Sequence, residues 1–324
     1  MSLYNAPTAA AESGHIESAP QSFRAVRRLL KRPVAVIAIA IITVIYFCGI
    51  FAPVIAPYGF DEIDLEDTFS GPTREHPLGT DRLGRDVLSR LIWSAQTTVI
   101  VSVAAIVTGS LVLGVGLGLL SGYAGGKVDG AIMRLGDVVA AVPTIFLIII
   151  LNSVLLSRVK DGFRDLEGLT GQDWLVSSGL PSYFLIFFAL SIFGWVGMAR
   201  VVQSQVLSLR EAPFIAAAKA SGASTSRILT RHLLPNISNL LIVALTLSLG
   251  AIAAAEVGLT FLGIGVQAPH PSFGRMIADY AGVTNVRAHF TLIFFPSLVV
   301  ALLVLSFNLL GDVLTDVLSP RRRG

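Results

Sequence analysis

The chain has 324 residues, of which 53% are hydrophobic and 14% are charged. Because a soluble domain carries roughly a quarter charged residues, this composition excludes an ordinary soluble protein and predicts an all-α integral membrane protein. The formal net charge is only +3, and the single cysteine, Cys48, leaves no disulfide framework.

The first 33 residues precede any apolar run. Residues 1–20 are rich in Ala, Ser, Pro and Glu without periodicity, and we expect them to be disordered. Residues 21–33 form a predicted amphipathic helix, with apolar residues on one face and five cations over much of the remainder. This pattern indicates an interfacial helix on an anionic leaflet, and it fits a positive flank to the first span equally well.

Six apolar runs follow, each near the roughly 20 residues that cross a bilayer. They predict six transmembrane helices in one domain over residues 34–320, at about 34–56, 97–121, 131–157, 182–203, 237–259 and 290–316. Two connections between them are long, residues 57–96 and residues 204–236.

Lysine and arginine residues predict the orientation of these helices. Fifteen of the 24 fall on one side, with the N-terminal segment, the connection 204–236 and the basic tail 321–324. The other nine fall on the opposite side, together with an acidic cluster in residues 61–67. We therefore expect both termini and residues 204–236 in the cytoplasm, and the loop 57–96 on the extracytoplasmic side.

The second run carries glycines at four-residue spacing, Gly114, Gly118 and Gly122. Small residues at this interval let helix backbones approach closely in lipid. We predict that this helix packs inside the bundle, the alternative being a groove that lines a ligand.

The segment HPLGTDRLGRDVLSRLI, residues 76–92, resembles a phosphate-binding loop only in its glycine spacing. Arg85 and Asp86 stand where that motif requires Lys and Ser or Thr to hold phosphate and magnesium, so we predict no nucleotide site. From Asp86 onward the apolar spacing instead predicts an amphipathic helix that enters the second span.

The connection between the fourth and fifth runs contains EAPFIAAAKASGASTSRILTRHLLPN, residues 211–236. Its alanine-rich first half predicts a short helix that stops at Gly222, because glycine readily takes the left-handed cap conformation. Ser224 is suited to cap a second short helix, which Pro235 is expected to end. Such an element is either a plain connector or a handle for another protein.

Glu256 lies near the outer end of the fifth run. Burying a carboxylate without a partner is costly, so Glu256 is a candidate pathway or gate residue. The alternative is a shallow carboxylate that pairs with a donor at the interface. The loop 260–289 is rich in Gly and Pro and is either a gate-forming segment, with Phe261 and Leu262 as candidate gate residues, or a plain interface loop.

The remaining ionisable residues form no recognisable catalytic or metal-binding pattern. Three aspartates near the cytoplasmic ends are expected to be neutralised by neighbouring arginines: Asp137, Asp312 and Asp316, by Arg134 or by Arg321 to Arg323. The five histidines are scattered, and no Ser/His/Asp or Cys/His constellation is evident. We predict no catalytic residue, no metal site and no cofactor bound by this chain.

Three motifs carry a family resemblance: residues 76–92, residues 211–236 and the segment AEVGLTFLGIGVQAPHPSFGRMI, residues 255–277. Over residues 21–320 the chain resembles the inner-membrane permease subunits of bacterial ATP-binding-cassette importers, and among them the C-type permease of dipeptide, oligopeptide and nickel systems. The generic cytoplasmic loop of such importers is EAA, three residues, G, nine residues, I, one residue, LP. Alignment on Gly222 brings part of the pattern into register, namely Ala217, Ala218, Leu234 and Pro235. The generic Glu and Ile fall on Ala216 and His232, and both departures resemble the peptide-transporter variant.

The resemblance implies a type I importer permease fold and a coupling helix from about Ala212 to Ser221 that docks on a cytoplasmic ATPase. The implied docking residues are Glu211, Phe214, Ile215, Ala217, Ala218, Ser221, Gly222, His232, Leu234 and Pro235. Phe214 and Ile215 are the expected apolar anchors. The alternative is an ordinary linker between spans.

The resemblance also implies partners and a cargo. The partners are a homologous second permease, two ATPase subunits that bind ATP and magnesium, an extracytoplasmic binding protein and the lipid bilayer of the bacterial inner membrane, with no nucleic acid. The expected cargo is short peptides, and nickel or another small solute is the alternative. Two other classes stay open: a membrane scaffold without transport, and an ion-coupled secondary transporter that uses Glu256.

Overall fold

The computed structural model describes residues 21–171 and 173–318. The predicted tails 1–20 and 321–324, with Arg321 to Arg323, lie outside the described residues. Within the described ranges the chain is helical, and its only β-type pairing is one isolated bridge between Thr80 and Asp86. The helices are α1 (Gln21–Leu30), α2 (Pro33–Ile50), α3 (Ala52–Ile55), α4 (Val87–Ala105), α5 (Gly116–Ala124), α6 (Gly126–Ala141), α7 (Thr144–Thr170), α8 (Leu180–Leu209), α9 (Pro213–Ala220), α10 (Thr225–Arg227), α11 (Leu234–Phe261), α12 (Phe273–Tyr280), α13 (Val283–Ala288) and α14 (Phe290–Leu318).

Two π-helical segments join α-helices into longer spans. Ile106–Val115 connects α4 to α5, and Ile228–Leu233 connects α10 to α11. Five helical stretches of the described chain are long and apolar enough to cross a membrane, or six when the bent pair α6 and α7 counts as one crossing. An all-helical membrane domain with up to six crossings confirms the predicted fold class.

The third predicted span is not the single helix expected over residues 131–157. It breaks between Ala141 and Thr144, and α6 and α7 meet at 82°. Pro143 disfavours a helical conformation in the residue before it, and Val142 is extended there, at φ −97° and ψ 131°. After the break α7 continues to Thr170, which is 27 residues or ~40 Å of helix, well past the predicted end at 157.

The helix that enters the second span begins at Val87, as predicted from Asp86 onward, and it is continuous with the span that was expected to start near residue 97. The carboxylate of Asp86 accepts a hydrogen bond from the backbone N–H of Ser89 at 2.7 Å and caps α4. The loop predicted over residues 57–96 therefore ends at Asp86.

The two ends of the bundle carry different structures. At one, the α9 end, Leu119 of α5, Val206 of α8 and Ile215 of α9 belong to one buried cluster. At the other, the α12 end, Val87 of α4 and Leu292 of α14 pack with α12. The α9 end holds the candidate coupling element and the α12 end holds Glu256.

Small residues bring the second and fourth spans into close contact. A methyl group added at Gly118 would lie 2.6 Å from the carbonyl oxygen of Ala199, and one at Gly122 would lie 2.7 Å from Val206. Gly114 faces Met198 in the same way. The predicted close packing of this glycine face is confirmed.

Candidate functional site

α9 is a short, sharply bounded helix. Pro213 occupies its first turn, where the missing N–H costs little. Gly222 follows its last turn with φ +77°, and its N–H donates to the carbonyl of Lys219 at 3.0 Å. The N–H of Ala223 donates to the carbonyl of Ala218, also at 3.0 Å, which completes a Schellman cap. The predicted stop at Gly222 is confirmed.

The second half of the element differs from the prediction. Ser224 does cap a helix, since its hydroxyl accepts from the N–H of Arg227 at 3.4 Å. That helix does not end at Pro235, however, but runs through the π-helical segment into α11 and the fifth span. The π-helical turns lie directly before the proline, and such widened turns are one way a continuous helix accommodates a residue that has no N–H. The element is one short helix followed by the start of a span.

Ile215, expected as an apolar anchor for a partner, is fully buried within this chain instead, with 0% of its surface exposed. It packs into a cluster formed by three spans: Val115 and Leu119 from the second, Met198, Val202 and Val206 from the fourth, and Ile228, Leu233, Ile237 and Leu241 from the fifth. Ile215 therefore anchors α9 to the spans and leaves its neighbour Phe214, 39% exposed, as the apolar residue that a partner could contact.

The outward surface of α9 is thin and only weakly charged. Its exposed residues include Ala216, Ala217 and Ala220, while Ala218 is half-buried. Their short side chains let a groove on another protein approach the helix backbone closely. Lys219 is also exposed, and its Nζ lies 5.3 Å from the ring centroid of Tyr123 at the end of α5, a cation–π contact.

The other predicted docking residues flank α9. Glu211 pairs with Arg210 at 3.5 Å and stays largely exposed. Pro235 is exposed at the base of α11, where His232 and Leu234 are half-buried. Leu234 packs against the cluster that holds Ile215, so the structure gives it an internal role as well.

The α12 end carries a fully buried carboxyl group at Glu256. Its Oε2 accepts from the hydroxyl of Thr98 on α4 at 3.1 Å, and its Oε1 accepts from Thr260 on its own helix at 3.1 Å. The hydroxyl of Thr260 also accepts the N–H of Val266 at 3.3 Å, which ties in the following loop. Both partners of the carboxyl are threonine hydroxyls on helices, not the interface donor of the alternative interpretation. The role of Glu256 stays a prediction.

The two candidate gate residues beside Glu256 lie at the end of α11. Phe261 is 42% exposed and Leu262 is 53% exposed, whereas Glu256 is 0% exposed. They lie more than one helical turn beyond the buried carboxyl, at the exposed end of the helix. Their role in a gate stays a prediction.

Asp81 organises the loop before α4, and the sequence reasoning missed it. One carboxylate oxygen accepts the N–H groups of Leu83 and Arg85, at 2.8 and 3.1 Å. The other accepts the side chains of Arg85 at 2.8 Å and Arg90 at 2.6 Å. Arg90 also lies 3.9 Å from Asp279 of α12. The charged residues of the segment 76–92 fasten this loop to α4 and α12. The sequence signal that could have indicated these ion pairs is the presence of both charge signs in a glycine-rich turn.

Asp137 was expected to pair with Arg134 but pairs with Arg200 of α8, at 2.6 Å. Arg200 belongs to another span, so the pairing joins α6 to α8. Asp312 and Asp316 are exposed near the end of α14, and their expected partners lie outside the described residues.

A cavity of about 250 Å³ opens between the second, third, fourth and fifth spans. Its walls are small or apolar and carry hydroxyl groups but no ionisable side chain: Ala105, Gly109, Ser110, Thr144, Leu190, Phe193, Gly194, Ser248, Ala251, Ile252 and Ala255. Four spans supply these residues, so no local pattern in the sequence indicated it.

His270 fastens three loops at the α12 end. Its Nε2–H donates to the carbonyl of Ser177 at 3.1 Å, and its ring lies against Phe60 and Tyr183, with centroids 5.1 and 5.9 Å away. Burial lowers the pKa of His270, an effect partly offset by the hydrogen bond to Ser177 and by the charge of Asp61. The neutral imidazole is therefore the form that holds the loops together.

These features define a helical protein that spans the membrane several times and presents a short helix anchored to its spans. The chain belongs to the family described as binding-protein-dependent transport system inner membrane components, whose profile matches residues 114–324. Residues 21–72 match a second profile, described as the N-terminal transmembrane domain of oligopeptide transport permease C.

Similar proteins cover nearly the whole chain. The oligopeptide transport system permease protein OppC of Bacillus subtilis is 33% identical over 92% of this chain and 89% of its own length. The dipeptide transport system permease protein DppC of Alkalihalophilus pseudofirmus is 36% identical over 92% and 90%. The glutathione transport system permease protein GsiD of Pectobacterium atrosepticum is 31% identical over 91% and 89%.

The contacts of His270 predict an acid-dependent loss of stability. Because the pKa of His270 in the folded protein lies below its ordinary value of 6.5, the stabilisation is complete above pH 6.5 and is lost as the pH falls through the folded pKa. We expect the thermal unfolding midpoint of the purified protein to drop between about pH 7.5 and about pH 5.5. His270→Gln keeps an N–H for Ser177 and should flatten this component. An unchanged pH slope in that variant would contradict the assignment.

Proposed function

We propose that this chain is the permease subunit of an ATP-driven importer and that α9 is its coupling helix. The observation that carries the proposal is the division of α9 into a residue buried among three spans, Ile215, and an exposed apolar neighbour, Phe214. A plain linker needs neither feature. Membership in a family of binding-protein-dependent transport components supports a partner that supplies energy.

The proposed orientation places both termini and the α9 end in the cytoplasm of a bacterial cell. Fifteen of the 24 lysines and arginines support it, because cytoplasmic segments carry the excess of positive charge. The α12 end then faces outward, where an extracytoplasmic binding protein would deliver cargo. The remaining partners of the complex would be a homologous permease and two cytoplasmic ATPases that hold ATP and magnesium.

In the proposed mechanism, closure of the ATPase pair moves α9, and two contacts transmit the movement to the spans. Ile215 joins α9 to the second, fourth and fifth spans, and Lys219 joins it to Tyr123 at the end of α5. Glu256 and His270 fasten the opposite end, so displacement at the α9 end is resisted there. Alternating access requires that the spans switch between two packed arrangements, one open to each side of the membrane.

We propose short peptides as the cargo. The cavity between the spans offers hydroxyl groups and apolar walls, which suit a neutral peptide backbone with varied side chains. It supplies no carboxylate, imidazole or thiol, the groups that bind nickel. The names of the similar proteins, which include dipeptide, oligopeptide and glutathione permeases, favour the same cargo class.

An assay of the reconstituted complex separates the proposed classes. With ATP inside the vesicles and a peptide-loaded binding protein outside, we expect peptide uptake and peptide-stimulated ATP hydrolysis. An ion-coupled transporter would take up cargo under an ion gradient without ATP or partners, and a scaffold would take up none. Either result would remove the importer proposal.

Alanine substitutions of Phe214 and Ile215 are predicted to impair the complex in different ways. Phe214→Ala removes an interface anchor and should weaken ATPase association roughly tenfold in pull-down titrations. Ile215→Ala leaves a cavity of the kind that costs about 2–5 kcal/mol, and should loosen α9 from the spans while the ATPase still binds.

For Ile215→Ala we therefore expect ATP hydrolysis that peptide no longer stimulates, with transport lost. Ile215→Val, which removes only one methyl group, is the matched control and should keep most coupling. Equal loss of ATPase binding in the alanine variants of both residues would contradict the division of α9 into two faces.

Gly222 is predicted to act through backbone conformation alone. A methyl group at this position would meet no atom within 4 Å, so a substitution adds strain only through φ +77°. Gly222→Val should cost about 1–2 kcal/mol in the cap and reduce coupled transport, whereas Gly222→Asn should retain it, because Asn tolerates the left-handed region. Transport rates of the two variants in vesicles make the comparison. Equal rates would show that the cap does not set the position of α9.

Narrowing the cavity is predicted to discriminate between peptides by size. Gly194 lines the cavity, and Gly197 on the same helix does not, although a methyl group added at either would meet no atom within 4 Å. Gly194→Leu should lower uptake of longer peptides several-fold more than uptake of dipeptides. Gly197→Leu is the matched control, and an identical size profile in both variants would exclude this cavity from the pathway.

A further inference from the structure

α1 and the two residues after it present an unpaired basic surface. Arg27, Arg28, Lys31 and Arg32 are all exposed, and none of them forms an ion pair within the described residues. The sequence contains no acidic residue between positions 18 and 60, so no neighbour along the chain neutralises them. By contrast, Arg200 and Arg210, at the same end of the bundle, both have acidic partners.

The same helix exposes apolar side chains. Val26 is 53% exposed and Leu30 is 57% exposed, and residues four apart lie on one side of a helix. Leu29 is half-buried and faces the protein. An exposed surface that combines apolar groups with several cations matches the boundary between acyl chains and headgroups.

α1 also contacts a transmembrane span far away in the sequence. It packs against α2 and α14. Tyr46 of α2 meets Phe307 in the middle of α14, whereas Leu292 near the start of α14 packs at the α12 end. Gly49, near the C-terminal end of α2, lies against Ala95 of the cluster at the α12 end, so α2 and α14 run antiparallel and α1 lies beside the C-terminal end of α14. The acidic residues there, Asp312 and Asp316, are exposed and form no ion pair with the four cations described.

We propose that α1 is a binding site for the headgroups of anionic phospholipids and that bound lipid holds the C-terminal end of α14 in place. The four unpaired cations supply the charge complementarity, and Val26 and Leu30 supply the apolar contact. A cationic flank that acts only as an insertion signal is no longer needed once the helices are in place. A binding site predicts that the purified protein prefers anionic lipid and is stabilised by it.

Site-specific fluorescence quenching tests the proposal on the full-length protein. Leu30→Trp places an indole at an exposed position of α1, and the unsubstituted protein gives the background from its three native tryptophans. The protein is reconstituted in equal mixtures of phosphatidylglycerol and phosphatidylcholine, with brominated chains on one lipid or the other. We expect brominated phosphatidylglycerol to occupy the site roughly fivefold or more in preference, since one Lys or Arg near an anionic surface contributes about that factor.

Arg27→Gln, Arg28→Gln, Lys31→Gln and Arg32→Gln together, in the Leu30→Trp background, should bring the two lipids to equal quenching. The matched control neutralises four other exposed cations of the α9 end, Lys127, Arg134, Arg227 and Arg231, and should retain the preference. Thermal unfolding midpoints establish that both variants are folded. On going from the lipid mixture to phosphatidylcholine alone, the midpoint should fall for the control variant and for the protein with its α1 cations intact. It should stay unchanged for the variant that lacks those four cations.

Two results would overturn the proposal: equal quenching by both lipids before any cation is removed, or a preference that survives the four α1 substitutions. Quenching requires neither ATP nor cargo, so failure of the proposed transport function would leave the lipid result unaffected. Excess soluble glycerol phosphate should not release the lipid, because the site also contacts acyl chains.

Discussion

The packing of Ile215 is the interaction on which the proposed coupling depends. An isolated helix of the length of α9, eight residues, is not stable in water, so the residue that docks it decides whether it exists as a helix. Burying an isoleucine side chain contributes about 1.5–3 kcal/mol. That contribution is made jointly with three spans, because the surrounding cluster takes residues from each. A force on α9 is therefore applied to three helices at once.

The opposite end is fastened by a different kind of interaction. Glu256 and His270 each join distant parts of the chain through directional hydrogen bonds, and Asp81 holds its own loop to Arg90 at the start of α4. Buried polar groups that lose their partners cost about 1–3 kcal/mol each, so these contacts favour discrete arrangements over gradual sliding. Apolar packing around Ile215 at one end and hydrogen bonds at the other favour movement of the helices as packed units.

Local signals in the sequence predicted what local physics determines. Apolar run lengths indicated the spans, and Asp86, Ser224 and Gly222 cap helices where their side chains or backbone freedom favour a boundary. The two prolines had effects opposite to those predicted. Pro143 breaks a span that was predicted to be continuous, and Pro235 lies inside a helix that was predicted to end there. The difference lies in the π-helical turns before Pro235, which no residue pattern announced. The partner of Asp137 and the cavity depend on contacts between distant spans.

The division of labour between Phe214 and Ile215 shows why the sequence left both as partner anchors. Two adjacent apolar residues in an alanine-rich helix give no amphipathic pattern, yet successive residues of an α-helix point about 100° apart. Only one of them can face the spans. The Schellman cap at Gly222 and the proline in the first turn set the two ends of α9. Its rotation is set by Ile215, whose side chain is buried in the cluster formed with the three spans, and Phe214 then lies outside that cluster. The contact with the spans thus gives the two residues different roles that their apolar character alone does not distinguish.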